Sequence, residues 1–173
     1  MSIRSLLRLV LSLAIASAAQ GARAPTRSPA ESAPRMDYTI PMEMLKPTDA
    51  SFPLYRNRWT LFFYFLPTCG HCQRAYPAIQ RIRSTYEKKG LAVAAIVSAS
   101  SRQEDIRQFD SDLGLDMPLF RDATRQFGQK YGTGAVPLLV LAAPDGTFRS
   151  WVGFGDSTAA AIEAAIRTGL HVR

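Results

Sequence analysis

Residues 59–72, Trp-Thr-Leu-Phe-Phe-Tyr-Phe-Leu-Pro-Thr-Cys-Gly-His-Cys, constrain the fold of this chain more than any other stretch. The first eight form an unbroken apolar and aromatic run of strand length, stopped by Pro67. A run without polar alternation predicts a strand buried on both faces, in the middle of a mixed α/β sheet. From Cys69 to Lys89 the period changes. Ala75, Ile79, Ile82 and Tyr86 recur at helical spacing, while Arg74, Arg81, Arg83 and Lys88 take other positions. Gly90 then closes the helix. The chain's two cysteines, Cys69 and Cys72, therefore sit where a buried strand hands over to an amphipathic helix.

That placement has a chemical consequence. The unpaired N–H groups and positive dipole end of a helix stabilise an anion, so the first cysteine should ionise below its free value. A thiolate attacks disulfides, and a second cysteine one helical turn on can resolve the mixed disulfide. His71 lies between them, where partial positive charge would tune the Cys69 thiolate and make the pair more oxidising. Other readings of two cysteines fit less well. A structural disulfide here would close too short a loop to remove much unfolded-state entropy. A metal needs more ligands, and the only other histidine, His171, stands at the C-terminal end. Haem attachment requires histidine directly after the second cysteine, where Gln73 stands. A hydrolase nucleophile would need a distant histidine, and only His171 offers one. The expectation is a redox pair with no metal and no cofactor. Because no cofactor-binding motif is present, a soluble or membrane-bound partner must exchange electrons with it.

The remaining pattern completes an α/β order. Leu91 to Val97 reads as a second buried strand, and Ser101 with Glu104 resembles a capping box opening a helix to about Leu113. An extended piece follows at 117–120 and a helix around 123–131. A third apolar strand spans 137–142, and Pro144-Asp-Gly-Thr147 is a turn into a hairpin partner over 147–153. Asp156 or Ser157 is expected to cap a last helix to about Gly169, with Ile162, Ile166 and Leu170 inward. Parallel crossovers with one antiparallel edge follow from this order.

Composition bounds the partners. The chain carries 21 Lys+Arg against 14 Asp+Glu, a formal charge of +7. Five of those arginines and one glutamate lie in residues 1–35, which leaves 16 basic and 13 acidic residues over 36–173. The basicity is thus largely outside the expected core, and no basic stretch interleaved with aromatics argues for nucleic acid. Arg4 and Arg8, an apolar run from Leu9 to Ala19 and small residues at its end read as a secretory signal over 1–19. That run falls short of the ~20 residues that span a bilayer. Residues 20–35, with Pro25, Pro29 and Pro34 and no aromatic or branched aliphatic residue, read as a flexible linker. The folded domain is then 36–173, and the compartment is the periplasm.

At this point the chain resembles the thioredoxin superfamily, and within it the secreted TlpA/ResA-like branch, over about Met36 to Leu170. Cys-Gly-His-Cys is a motif also familiar from protein disulfide isomerases. Pro77 matches the proline that kinks the family's active-site helix. Gln129-Lys-Tyr-Gly-Thr-Gly-Ala-Val-Pro137 is similar to the family's approach to its cis-proline. The resemblance implies a thioredoxin-like fold with a central mixed sheet flanked by helices. The block from Ser98 to Asp122 would be an inserted strand and helix. It further implies that Val136 and Pro137 hold a substrate backbone beside the cysteines and that the substrates are protein thiols and disulfides. Two positions depart from the pattern. Phe63 stands where many thioredoxins bury an acid, and Thr68 where many relatives have Trp. The aromatic strand is also similar to TraF/TrbB-like proteins of conjugation systems, which keeps open a binding module with secondary redox activity. The direction of electron flow stays open: the motif and Phe63 favour oxidation or isomerisation, the TlpA-like likeness reduction.

Overall fold

The computed structural model describes residues 33–46 and 51–172. The expected signal over 1–19, and the linker up to residue 32, lie outside the described residues. The aromatic run forms β2 (Thr60–Phe65), and all six residues are buried. Such a strand needs partners on both sides. It pairs in parallel with β3 (Ala92–Ser98) and antiparallel with β5 (Leu138–Ala142). With β1 (Glu43–Lys46), β4 (Leu119–Asp122) and β6 (Phe148–Val152) the sheet has the order β1-β4-β3-β2-β5-β6.

Because strand side chains alternate, β2 feeds two cores. Leu61, Phe63 and Phe65 pack with α1 (Gly70–Tyr86), α2 (Gln103–Leu113) and α4 (Asp156–Gly169) through residues such as Ile79, Phe109 and Ile162. Phe62 and Tyr64 face the other way. They pack with α3 (Gln126–Gly132) through Phe127 and Tyr131, and with an N-terminal segment that contributes Met36, Tyr38 and Ile40. A 3-10 turn, Phe52–Tyr55, completes that second layer. The segment is tied down at its start. Arg35, at the end of the expected linker, forms an antiparallel bridge with Thr147 and donates to the Asp145 carbonyl. Met36 N donates to Gly146 O at 2.7 Å.

Three expectations need correction. Both sheet edges are antiparallel rather than one, because β1 pairs with β4 as β6 does with β5. β1 is short and half-exposed, so it carries no periodic signal. Ion pairs at its ends, Arg121–Glu43 at 3.2 Å and Lys46–Asp110 at 2.7 Å, help to hold it. Ser101 makes no capping box. It is buried with its hydroxyl unpartnered among the described residues, and Arg102 is the N-cap. The Ser101 backbone is committed elsewhere, its N–H to Ser98 O and its carbonyl to Arg121. In α4 the N-cap is Gly155, so Asp156 serves as an acid in the first turn without a capping bond.

Candidate active site

β2 ends at Phe65, and Leu66-Pro67-Thr68 carries the chain to Cys69, the N-cap of α1. Cys69 N donates to Leu66 O at 3.0 Å, and Gln73 N donates to Cys69 O at 3.0 Å, the first bond of the helix. Gln73 Nε2 reaches back to Pro67 O at 2.9 Å and fixes the loop. No side chain caps this helix and its first turn has no acid. The orphan amides are left to the Cys69 sulfur.

The two thiols are strongly unequal. Cys69 is half-buried, whereas Cys72 is fully enclosed. Partial burial pushes the Cys69 thiol up. Hydrogen bonds from the Cys72 thiol and from the N–H groups of Cys72 and His71, with the charge of Arg74, outweigh it and leave Cys69 below the usual thiol range. Burial pushes the Cys72 thiol up to about 12, and the neighbouring Cys69 sulfur adds to that rise. This arrangement sets a more acidic, accessible thiol beside a sheltered one that holds its proton at neutral pH.

His71 and Arg74 are both exposed, and Arg74 Nη2 lies 3.1 Å from His71 Nδ1. A guanidinium only donates, so Nδ1 is the acceptor of this pair. Arg74 is a residue that sequence reading placed on the polar face and nothing more. A long side chain folding back one helical turn leaves no trace in a hydrophobic pattern. Pro77 lies inside α1, two turns on.

The opposite wall comes from the start of β5. Leu138 is in register with Tyr64, which sets Pro137 beside Phe65 and the cysteine loop. The Val136–Pro137 bond is cis. Pro137 is buried, Val136 is half-exposed, and Cys69 and Val136 pack against the same core. Gly153 N donates to Pro137 O at 2.8 Å, which ties the end of β6 to this wall. A cavity of about 330 Å³, lined by Pro67, Thr68, Gln73 and Phe109 among others, opens on the α2 side of the loop. A larger one of about 540 Å³ between α4 and β6 includes Trp59. It lies at the far end of β2 from Cys69 and takes no part in the site.

Phe63 is fully enclosed and stacks on Phe65 at 4.8 Å with the rings 6° from parallel. The buried acid among the described residues is instead Asp122, whose Oδ2 accepts from Gly128 N at 2.9 Å. It pairs with Ser98 two strands from β2, roughly 10 Å away by strand spacing. Among the described residues no group of three His, Cys, Asp or Glu side chains could hold a metal.

Residues 32–150 match the AhpC/TSA family. Over 92 residues, 53% of this chain, it is 25% identical to the thiol-disulfide oxidoreductase ResA of Geobacillus thermodenitrificans (strain NG80-2). That match takes in 52% of ResA, so the chain spans about half the length of this relative. A thiol-disulfide isomerase from Corynebacterium glutamicum superposes with a TM-score of 0.68 at 19% identity, covering 81% of this chain and 97% of that one. StoA from Bacillus subtilis superposes with a TM-score of 0.59 at 16% identity, covering 74% and 98%. These structures share the thioredoxin-like fold.

Proposed function

Because this chain belongs to the AhpC/TSA family, of the thioredoxin superfamily, we propose that it is an exported thiol–disulfide oxidoreductase that exchanges disulfides with proteins through Cys69 and Cys72. One observation carries this reading: a half-buried Cys69 with a lowered pKa stands one helical turn before a buried Cys72 pushed up to about 12. The similarity to ResA supports the same chemistry.

In the reducing direction the Cys69 thiolate attacks one sulfur of a client disulfide. The client S–S bond breaks, a Cys69–client disulfide forms, and the other client sulfur leaves as a thiolate that takes a proton. Cys72 then gives up its proton and attacks Cys69 Sγ. The Cys69–Cys72 disulfide forms, the second client sulfur is released, and two electrons have passed from the pair to the client. Oxidation of a client dithiol is the reverse. Val136 offers its backbone to an extended client beside Cys69, in strand-addition mode, while Pro137 shapes the groove and Pro77 shapes the helix that carries the cysteines. A stabilised Cys69 thiolate favours the reduced pair, so the exchange leans towards client oxidation or isomerisation. The electron partner is another dithiol/disulfide protein. The signal-like composition of residues 1–19 supports export to the periplasm.

The test is trapping. Cys72→Ala leaves Cys69 without its resolving thiol, so the variant should accumulate reducible mixed disulfides with periplasmic proteins. Cys69→Ala should accumulate none. A periplasmic extract with no partner bound to the Cys72→Ala variant would count against the function.

A further inference from the structure

The guanidinium of Arg74 is unusually placed for a solvent-facing helix residue. Its Nη2 donates to His71 Nδ1 at 3.1 Å. A Cβ added to Gly70 would come within 3.3 Å of its Nη1. The guanidinium therefore lies back along α1 over Gly70 and His71, the two residues between the cysteines. It has no carboxylate partner among the described residues, and the first turn of α1 has no acid to offset it. The loop opposite, residues 133–137, has no titratable side chain. On α2, the two acids that line the cavity beside the cysteine loop are engaged, Asp105 by Arg102 at 2.9 Å and Asp112 by Gln108 at 2.8 Å.

We infer that Arg74 is a positioning residue of the redox pair: anchored by His71, its guanidinium supplies a fixed positive charge to the Cys69 thiolate. His71 acts here through Nδ1, as the acceptor that holds the arginine in place, while Arg74 brings the charge. An arginine stays charged at every working pH. This deepens the redox reading of the same site and rests on it for its biological meaning. The charge itself acts on Cys69 whether or not a client is present.

The experiment follows Cys69 ionisation directly. Thiolate absorbance near 240 nm is titrated against pH in reduced Cys72→Ala protein, with and without Arg74→Gln or Arg74→Lys. Arg74→Gln should lower the thiolate fraction below the midpoint by roughly one-and-a-half- to fivefold, the range expected for one nearby charge at a solvated site. Arg74→Lys should keep part of the effect, and ~1 M salt should shrink the gap, since screening then acts within about 3 Å. A merely structural role for Arg74 would show no such salt dependence. In full-length protein with both cysteines, Arg74→Gln should also shift the glutathione equilibrium towards the disulfide. Superimposable titrations of parent and Arg74→Gln protein would overturn the inference. Failure to trap clients with a shifted titration would instead count against the redox function and leave the role of Arg74 standing.

Discussion

At the scale of single residues, identity matters most where space or charge is already committed. Gly128 shows this away from the cysteines. A helical glycine normally costs up to ~1 kcal/mol relative to alanine, so replacing it should help. Here a Cβ would stand 2.5 Å from the hydroxyl of Tyr64, which is buried. Overpacking a core costs about 1–3 kcal/mol and outweighs the propensity gain. Gly128→Ala should therefore lower unfolding stability in a urea titration, and an unchanged or higher midpoint would contradict that packing. The placement of Cys69 and Cys72 was legible in the sequence, since a buried apolar run followed by a helical period puts them at a strand-to-helix boundary. Arg74 was not, because its position over the first turn depends on a rotamer and on the histidine that receives it. The engagement of Asp122 with α3 was hidden for the same reason.

Elements show where legibility follows pattern strength. β2 and α1 announce themselves, one as an unbroken apolar run and the other through Ala75, Ile79, Ile82 and Tyr86, all buried. β1 and the segment before it do not. Met36, Tyr38 and Ile40 are buried, yet three apolar residues spaced by two over so short a stretch near Pro34 and Pro41 resemble a loop. This segment is latched to α3: Asp37 N donates to Tyr131 Oη at 2.7 Å, and Lys130 Nζ reaches Asp37 Oδ2 at 2.7 Å. The hydrogen bond from Lys130, with those from Thr39, holds the Asp37 carboxyl down to about 2. A depressed carboxylate stabilises the fold above its unfolded value, and that contribution is lost as pH falls from near 4 towards 2. The pair is largely solvent-exposed, so the effect is small. Asp37→Asn should lower the Tm at pH 7 by about 1–4 °C, and the difference should shrink as pH falls from near 4 towards 2. A constant difference across that range would show that the latch works through shape alone.

Across the whole molecule, the sheet serves to bring two distant stretches of chain to one end of β2. The cysteine loop leaves the strand there, and the register of β5 against β2 delivers Val136 and Pro137 beside it. Fold class and the meeting of the cysteine loop with Val136 and Pro137 were legible because both hang on the most buried strand. The antiparallel edges and the N-terminal layer were not, because their contacts are long-range and their sequence is short or irregular. The proposed function requires Cys69 and Cys72 to form one reversible two-electron couple poised by a stabilised Cys69 thiolate. The most direct measurement equilibrates the protein in glutathione buffers of graded potential, alkylates the remaining thiols and reads the masses. The predicted result is a single two-electron transition between dithiol and Cys69–Cys72 disulfide, at a potential above the ~−270 mV of thioredoxin. Two thiols alkylated at every potential, with no internal disulfide formed, would contradict it.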